Sequence, residues 1–234
     1  RKFDKMNLKN KYLMIILAVI IIKINFSINV QAKEYNRFNN ISIEDGLSQA
    51  TVETMMQDSK GYIWLGTNDG LDRYNGYTFK KYSYEKGQEN SLVNGYILDI
   101  KEDSEGNIWV DTAAGISKIY NNGEKVQNYT SDSESGNLSN DNTATMLISS
   151  SNKIYVGTAE GINLYDKKTD KFNLIYPELK EEYINSLAED KYGNIWAGTE
   201  NGLYKINVGT NVIERFESTD DVNTISENYI YKVY

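Results

Sequence analysis

The chain has 234 residues, with 25 Lys or Arg against 33 Asp or Glu for a formal charge of −8, and it contains no His, no Cys and one Pro. Without imidazole or thiol there is no Ser-His-Asp or Cys-His triad, no thiolate nucleophile, no zinc site of the usual nitrogen and sulfur kind, no haem His and no disulfide. The acidic balance argues against nucleic acid as a partner, because phosphate neutralisation needs a surplus of Lys and Arg.

The first element is basic and then apolar. Arg1, Lys2, Lys5, Lys9 and Lys11 precede the run from Tyr12 to Ile22, which is eleven residues long. A bilayer span needs roughly 20 apolar residues, so this length suits the core of a secretory signal, with the small-residue site Val30, Gln31, Ala32 behind it. Residues 1–32 are therefore expected to be a signal peptide cleaved after Ala32, with Met6 as the natural initiator; the alternative is a retained anchor that tolerates Lys23 and extends through Val30. Removing 1–32 takes away six basic residues and one acid and leaves 19 against 32, a formal −13. In either case the remainder is placed outside the cytoplasmic membrane, where its core must stabilise it without disulfides.

From there one phrase recurs: DSKGYIWLGTNDGL from Asp58, DSEGNIWVDTAAGI from Asp103, SSNKIYVGTAEGI from Ser150 and DKYGNIWAGTENGL from Asp190. Its aromatic anchors Trp64, Trp109, Tyr155 and Trp196 are 45, 46 and 41 residues apart. That period holds the four strands of a propeller blade. A helical solenoid of similar period is excluded, because no unit has an apolar run at 3.6 spacing and each is rich in turn and strand formers. The expected fold is an all-β propeller of four-stranded antiparallel blades. Four blades are expected over about 47–90, 91–136, 137–178 and 179–223, with the start of a fifth at 224–234.

Within the first unit, Val52–Gln57 reads as the inner strand and Asp58 to Gly61 as a type I turn. Tyr62–Thr67 is the second strand, Asn68 to Gly70 a hairpin, and Leu71–Tyr74 the third strand. An Asn75-Gly76 turn then leads to an outer strand, Tyr77–Tyr82. The second and fourth units repeat this scheme, and the third lacks the Asp-to-Gly turn. Trp64, Trp109, Tyr155 and Trp196 are read as wedges between adjacent blades rather than sugar platforms. Asp58, Asp103 and Asp190 are read as turn residues, since they recur at one offset whereas a catalytic acid should be singular.

The phrases GLSQATVETMMQDSKGYIWLGTNDGLDRYNGYTFKKY and EDSEGNIWV resemble the two-component regulator propeller repeat, over nearly all of the exported part. Departures are Asp111 in place of the Gly of Gly-Thr, and Asn152 and Tyr155 where Gly and Trp would stand. The resemblance implies an extracytoplasmic sensor ahead of a membrane helix, anchoring it at the periplasmic or extracellular face. Its output would be a histidine kinase, sometimes a hybrid, or a diguanylate cyclase, none of which is in this segment. Many relatives sense polysaccharide breakdown products. Seven blades of roughly 45 residues need about 315, so this segment is expected to be somewhat over half of one propeller. Asn228–Tyr234 would begin a fifth inner strand, and Tyr35 to Phe38 would be an outer strand that closes the ring. An arc expressed alone would expose blade faces and self-associate.

The expected ligand is a small molecule or oligosaccharide, bound at the channel mouth where inner strands begin. The candidates are Gln49, Asn94, Asp141 and Glu182, with Tyr96 and Tyr183 close by; the competing reading is that they solvate the rim or cap turns. No cofactor or metal is expected, and Asp132 to Asn142 lacks the ligand order of a calcium loop. The alternative function is a secreted propeller that binds or degrades carbohydrate, or an adhesion protein. The turn resembles the Asp-box of sialidases, but its Asp-to-Gly spacing differs by one, and no carboxylate pair of the glycosidase kind stands out among Asp132, Glu134, Glu181 and Asp220.

Overall fold

A computed structural model of the chain describes residues 7–25, 40–132 and 137–234. The chain divides into two compact units, 1–40 and 41–234. In the first, helix α1 (Leu8–Asn25) covers the apolar run. Among the described residues, no helix is long and apolar enough to cross a membrane. The cleavage site at Val30 to Ala32 and the closing strand at Tyr35 to Phe38 lie outside the described residues.

The second unit is a β-propeller segment of four four-stranded antiparallel sheets, each a simple meander. Blade 1 holds β1 (Val52–Gln57), β2 (Ile63–Thr67), β3 (Gly70–Tyr74) and β4 (Phe79–Tyr82). Blade 2 holds β5 (Ile97–Glu102), β6 (Ile108–Thr112), β7 (Gly115–Tyr120) and β8 (Lys125–Tyr129). Blade 3 holds β9 (Thr143–Ile148), β10 (Ile154–Thr158), β11 (Gly161–Asp166) and β12 (Lys171–Ile175). Blade 4 holds β13 (Ile184–Glu189), β14 (Ile195–Thr199), β15 (Gly202–Asn207) and β16 (Val212–Phe216). The first strands of successive blades are neighbours, β1 beside β5, β5 beside β9 and β9 beside β13.

The Gly-Thr-x-x-Gly phrase has a local cause. Thr67, Thr112, Thr158 and Thr199 each donate their hydroxyl to the carbonyl of the Gly three residues on, at 2.7 to 3.2 Å, and accept the amide two residues on. Each of those closing glycines has positive φ, from 86° to 133°, which L side chains rarely adopt. The Gly before Thr has a different reason. A Cβ at Gly66, Gly157 or Gly198 would stand 2.6 to 2.7 Å from the Cγ2 of Ile97, Ile184 or Ile230, each at the start of the next repeat. Bare backbone there lets the blades close together.

The apolar cores lie between blades rather than within them. Trp64 and Tyr82 of blade 1 pack with Ile97, Ile100, Ile108 and Val110 of blade 2. Trp109 and Tyr129 pack with Met146, Ile154, Val156 and Phe172 of blade 3, and Tyr155 and Ile162 with Ile184, Leu187 and Ile195 of blade 4. Polar clamps accompany them. Glu102 accepts both the amide and hydroxyl of Ser59 at 2.7 Å, and Glu189 grips Ser150 likewise at 2.6 and 2.9 Å. At the middle seam Asn152 accepts the Ser104 amide at 2.9 Å instead.

Three expectations need correction. The third repeat does have the turn: Asn152 takes the Gly position at φ 57°, its amide reaches Ser149 O at 2.8 Å, and Ser149 Oγ stands in for the Asp carboxylate by accepting Lys153 N. The outer strand of blade 1 begins at Phe79 rather than Tyr77, because the amides of Tyr77 and Thr78 are held by Asn75 Oδ1. Asn228–Tyr234 is not a strand; it lies on blade 4 through Ile230 N to Thr199 O at 2.8 Å, Asn185 Nδ2 to Ile230 O at 3.1 Å and Val233 N to Ser186 Oγ at 3.2 Å.

Candidate functional site

The recurrent Asp and Trp form one unit. Asp103, at the end of β5, accepts the amides of Glu105 and Asn107, the side-chain amide of Asn107, and Trp109 Nε1 at 2.8 Å. Asp58 holds Trp64 Nε1 at 2.8 Å, and Asp190 holds Trp196 Nε1 at 3.0 Å. One carboxylate thus closes the turn and satisfies the indole six residues on, which is buried at Trp64 and Trp109 and half-buried at Trp196. Asn194, then Trp196 and the turn amides, hold the Asp190 carboxyl well below the usual carboxylate range. These acids are committed to structure.

Most of the rim candidates are similarly engaged. Gln49 Oε1 accepts the amide of Thr51, and Asn94 Oδ1 accepts that of Tyr96 at 2.8 Å, so both are turn caps. Asp141 Oδ1 accepts the Ser131 amide at 2.6 Å, and Asn228 does the same for Ser218 two repeats on. Glu182 accepts Asn201 Nδ2 at 3.0 Å and the Tyr204 hydroxyl at 2.8 Å. Burial, then Glu182, push the Tyr204 hydroxyl up to about 12. Tyr96 is 40% exposed, with its carbonyl accepting the Ala113 amide.

Tyr183 differs, because it opens onto a cleft of about 800 Å³ formed by the first strands and the C-terminal segment. Leu98 of β5, Thr143 and Ala144 of β9, and Asn185 of β13 line it, together with Asn142, Glu200 and, from the C-terminal segment, Tyr229, Tyr231, Lys232 and Tyr234. A volume in the range of about 300–1,000 Å³ is that of small-ligand sites. Tyrosine rings offer flat apolar faces with a polar tip, while Asn142, Glu200 and Lys232 supply acceptors and donors. Of the six rim candidates, Tyr183 alone is in this cleft. Asn185, Glu200, Tyr231 and Lys232 were not expected from sequence. The signal is the residue that follows the Ile or Thr packed on the preceding blade: Leu98 in β5, Ala144 in β9, Asn185 in β13 and Tyr231 in the C-terminal segment.

With fold and cleft established, the class is a β-propeller. Residues 46–69, 91–114 and 178–201 match the two component regulator propeller family. Each match runs from the lead into a first strand through the Gly-Thr hairpin, and the unmatched third repeat is the one in which Ser149, Asn152 and Tyr155 replace Asp, Gly and Trp. Histidine kinase P4 of Formosa agariphila is 37% identical over 67 residues, 28% of this chain and 5% of that protein. Among solved structures, the extracellular domain of a hybrid two component system from B. thetaiotaomicron is similar with a TM-score of 0.51 and 18% identity, over 86% of this chain and 37% of that one. A catalytically inactive virginiamycin B lyase from Staphylococcus aureus gives 0.55 and 15% identity, over 75% and 58%. Likeness at this identity extends to the fold alone. The chain spans about a twentieth of the curated relative's length.

Proposed function

We propose that this segment is the extracytoplasmic ligand-sensing propeller of a membrane-bound signal-transduction protein. It is non-catalytic, and acts with a histidine kinase or diguanylate cyclase output elsewhere in the protein. The observation that carries this reading is the cleft, where Tyr183, Asn185, Glu200, Tyr231 and Lys232 converge from two repeats, while Asp58, Asp103 and Asp190 are committed to turns and indoles. The two component regulator propeller repeats and the similarity to a histidine kinase support the signalling half. The basic and apolar N-terminus supports export. The ligand is a small molecule or oligosaccharide: rings to lie against a sugar face, with amide and carboxylate groups to bind its hydroxyls. Because the cleft is shared between blades, an occupant can favour one inter-blade arrangement over another, which is what a sensor requires.

Calorimetric titration of an oligosaccharide panel against the protein, with Tyr231→Ala and Glu200→Gln beside wild type, tests this. About a tenfold loss of affinity in each variant, ~1.4 kcal/mol, is the expected result. Unchanged affinity in both variants would remove the cleft from the account, and absence of binding across the panel would remove the saccharide class.

A further inference from the structure

The seam between blades 2 and 3 departs from the others at one pair of positions. Where Gly66, Gly157 and Gly198 let an Ile approach, β6 has Asp111, and the facing Ile is replaced by Thr143. Both side chains are buried, Asp111 at 0% exposure and Thr143 at 2%. Thr143 Oγ1 lies 2.5 Å from Asp111 Oδ1 and 2.7 Å from the carbonyl of Thr112. Asp111 Oδ2 has no hydrogen-bond partner among the described residues.

Counting protons decides the ionisation state. A hydroxyl has one proton to donate, and both of its neighbours here lie at hydrogen-bonding distance. If Asp111 were a carboxylate, it and the carbonyl would both be acceptors, and one short oxygen to oxygen contact would hold no hydrogen. In addition, an unpartnered Oδ2 would be a buried fractional charge, which is costly. If Asp111 carries a proton, it donates to Thr143 Oγ1, which donates to Thr112 O; every contact then holds one hydrogen, and Oδ2 is a neutral carbonyl oxygen. From this geometry we infer that Asp111 is a resident neutral carboxylic acid, and that the seam between blades 2 and 3 is a proton-linked joint which loosens when Asp111 ionises.

The surroundings agree. Burial, and then the charge of Asp99, push the carboxyl up to about 7, against the opposing effects of the Thr143 hydrogen bond, Lys101 and the Thr112 backbone. Asp99 and Lys101 are the charged groups of β5 that act on it, and they pair with each other at 2.8 Å. From β9 the facing group is the uncharged Thr143, and across β7 the register partner is Ile116. Thr143 also lines the cleft, so the titrating proton is one hydroxyl away from the surface proposed to bind ligand.

The test does not depend on any ligand. Infrared spectra of the intact chain at pH 5.5, where ordinary carboxylates are ionised, should show the carbonyl stretch of a protonated carboxyl in wild type and not in Asp111→Asn. Urea unfolding from pH 4.5 to 7 should show the wild-type folding constant falling, relative to Asp111→Asn, by up to tenfold per pH unit, as linkage to one proton requires. If Asp111→Asn folds poorly, the double variant Asp111→Gly with Thr143→Ile, which restores the Gly and Ile pair of the other seams, serves as the reference. No protonated-carboxyl band, or parallel stability profiles for wild type and reference, would overturn the inference.

Discussion

Asp103 is the residue whose removal gives the sharpest reading of the Asp and Trp unit. In Asp103→Ala, Trp109 Nε1 loses its acceptor at 2.8 Å in a site where the ring is 0% exposed. An unsatisfied buried donor costs about 1–3 kcal/mol. The amides of Glu105 and Asn107 also lose their acceptor; lying at a turn near solvent, they regain water at about 0.5 kcal/mol each. The sum is about 3 kcal/mol, out of a total stability on the order of 5–15 kcal/mol. Asp103→Ser, which copies Ser149 of the third repeat, should lose less, because a hydroxyl serves the turn but cannot reach the indole. Urea unfolding followed by circular dichroism measures all of these. A cycle with Trp109→Phe should show a coupling of about 1–2 kcal/mol, since removing the N–H removes the penalty for leaving it unpaired. A loss under about 0.5 kcal/mol in Asp103→Ala, or no coupling, would refute the claim that this carboxylate satisfies the wedge.

Other outcomes follow from the seams and turns. Gly66→Ala would place a methyl 2.6 Å from Ile97 Cγ2 and 2.7 Å from Thr54 Cγ2; a loss of about 1–3 kcal/mol is expected, with part recovered by adding Ile97→Ala, both read by thermal unfolding. Glu102→Gln weakens the grip on the Ser59 amide and hydroxyl; as this contact is exposed, about 0.5–1 kcal/mol is expected in urea. Asp190 has a folded pKa below its ordinary 3.8. Its contribution is therefore present above pH 4 and lost as pH falls through the folded value. The acid limb of the stability curve should be shallower in Asp190→Asn, and an identical limb would show that other carboxylates set it.

The strands were legible because their punctuation is local. Asp to Gly, Gly-Thr-x-x-Gly and Asn-Gly each fix a turn by hydrogen bonds within a few residues, so composition and spacing reveal them without knowledge of the rest of the chain. Legibility failed where a different residue does the same work. Asn152 adopts positive φ in place of Gly, and Ser149 replaces Asp, so a search for the usual letters found no turn where one exists. The indole bond was equally hidden. Six residues separate Asp103 from Trp109, and nothing in a strand pattern says that the carboxylate reaches across the turn to the ring.

The cleft was less legible still, and the reason lies in what a repeat encodes. Positions that recur do so because each blade must be packed, capped and joined to the next, so reading the repeat reads the scaffold. Gln49, Asn94 and Asp141 are polar and lie near the start of a first strand, and that is where the chain needs caps. The cleft-facing position, second in β5, β9 and β13 and next to Ile230 in the C-terminal segment, follows no such rule: Asn185 holds Ile230 O, and its counterparts are unlike it. That position holds Leu98, Ala144, Asn185 and Tyr231, four residues of different size and polarity at the same offset from the Ile or Thr of the seam. Variation at a corresponding, partly open position is what remains when packing imposes no choice. In a propeller the ligand surface should therefore be sought where the repeats disagree, and the same rule singles out Asp111 and Thr143 at the one seam that abandons Gly and Ile.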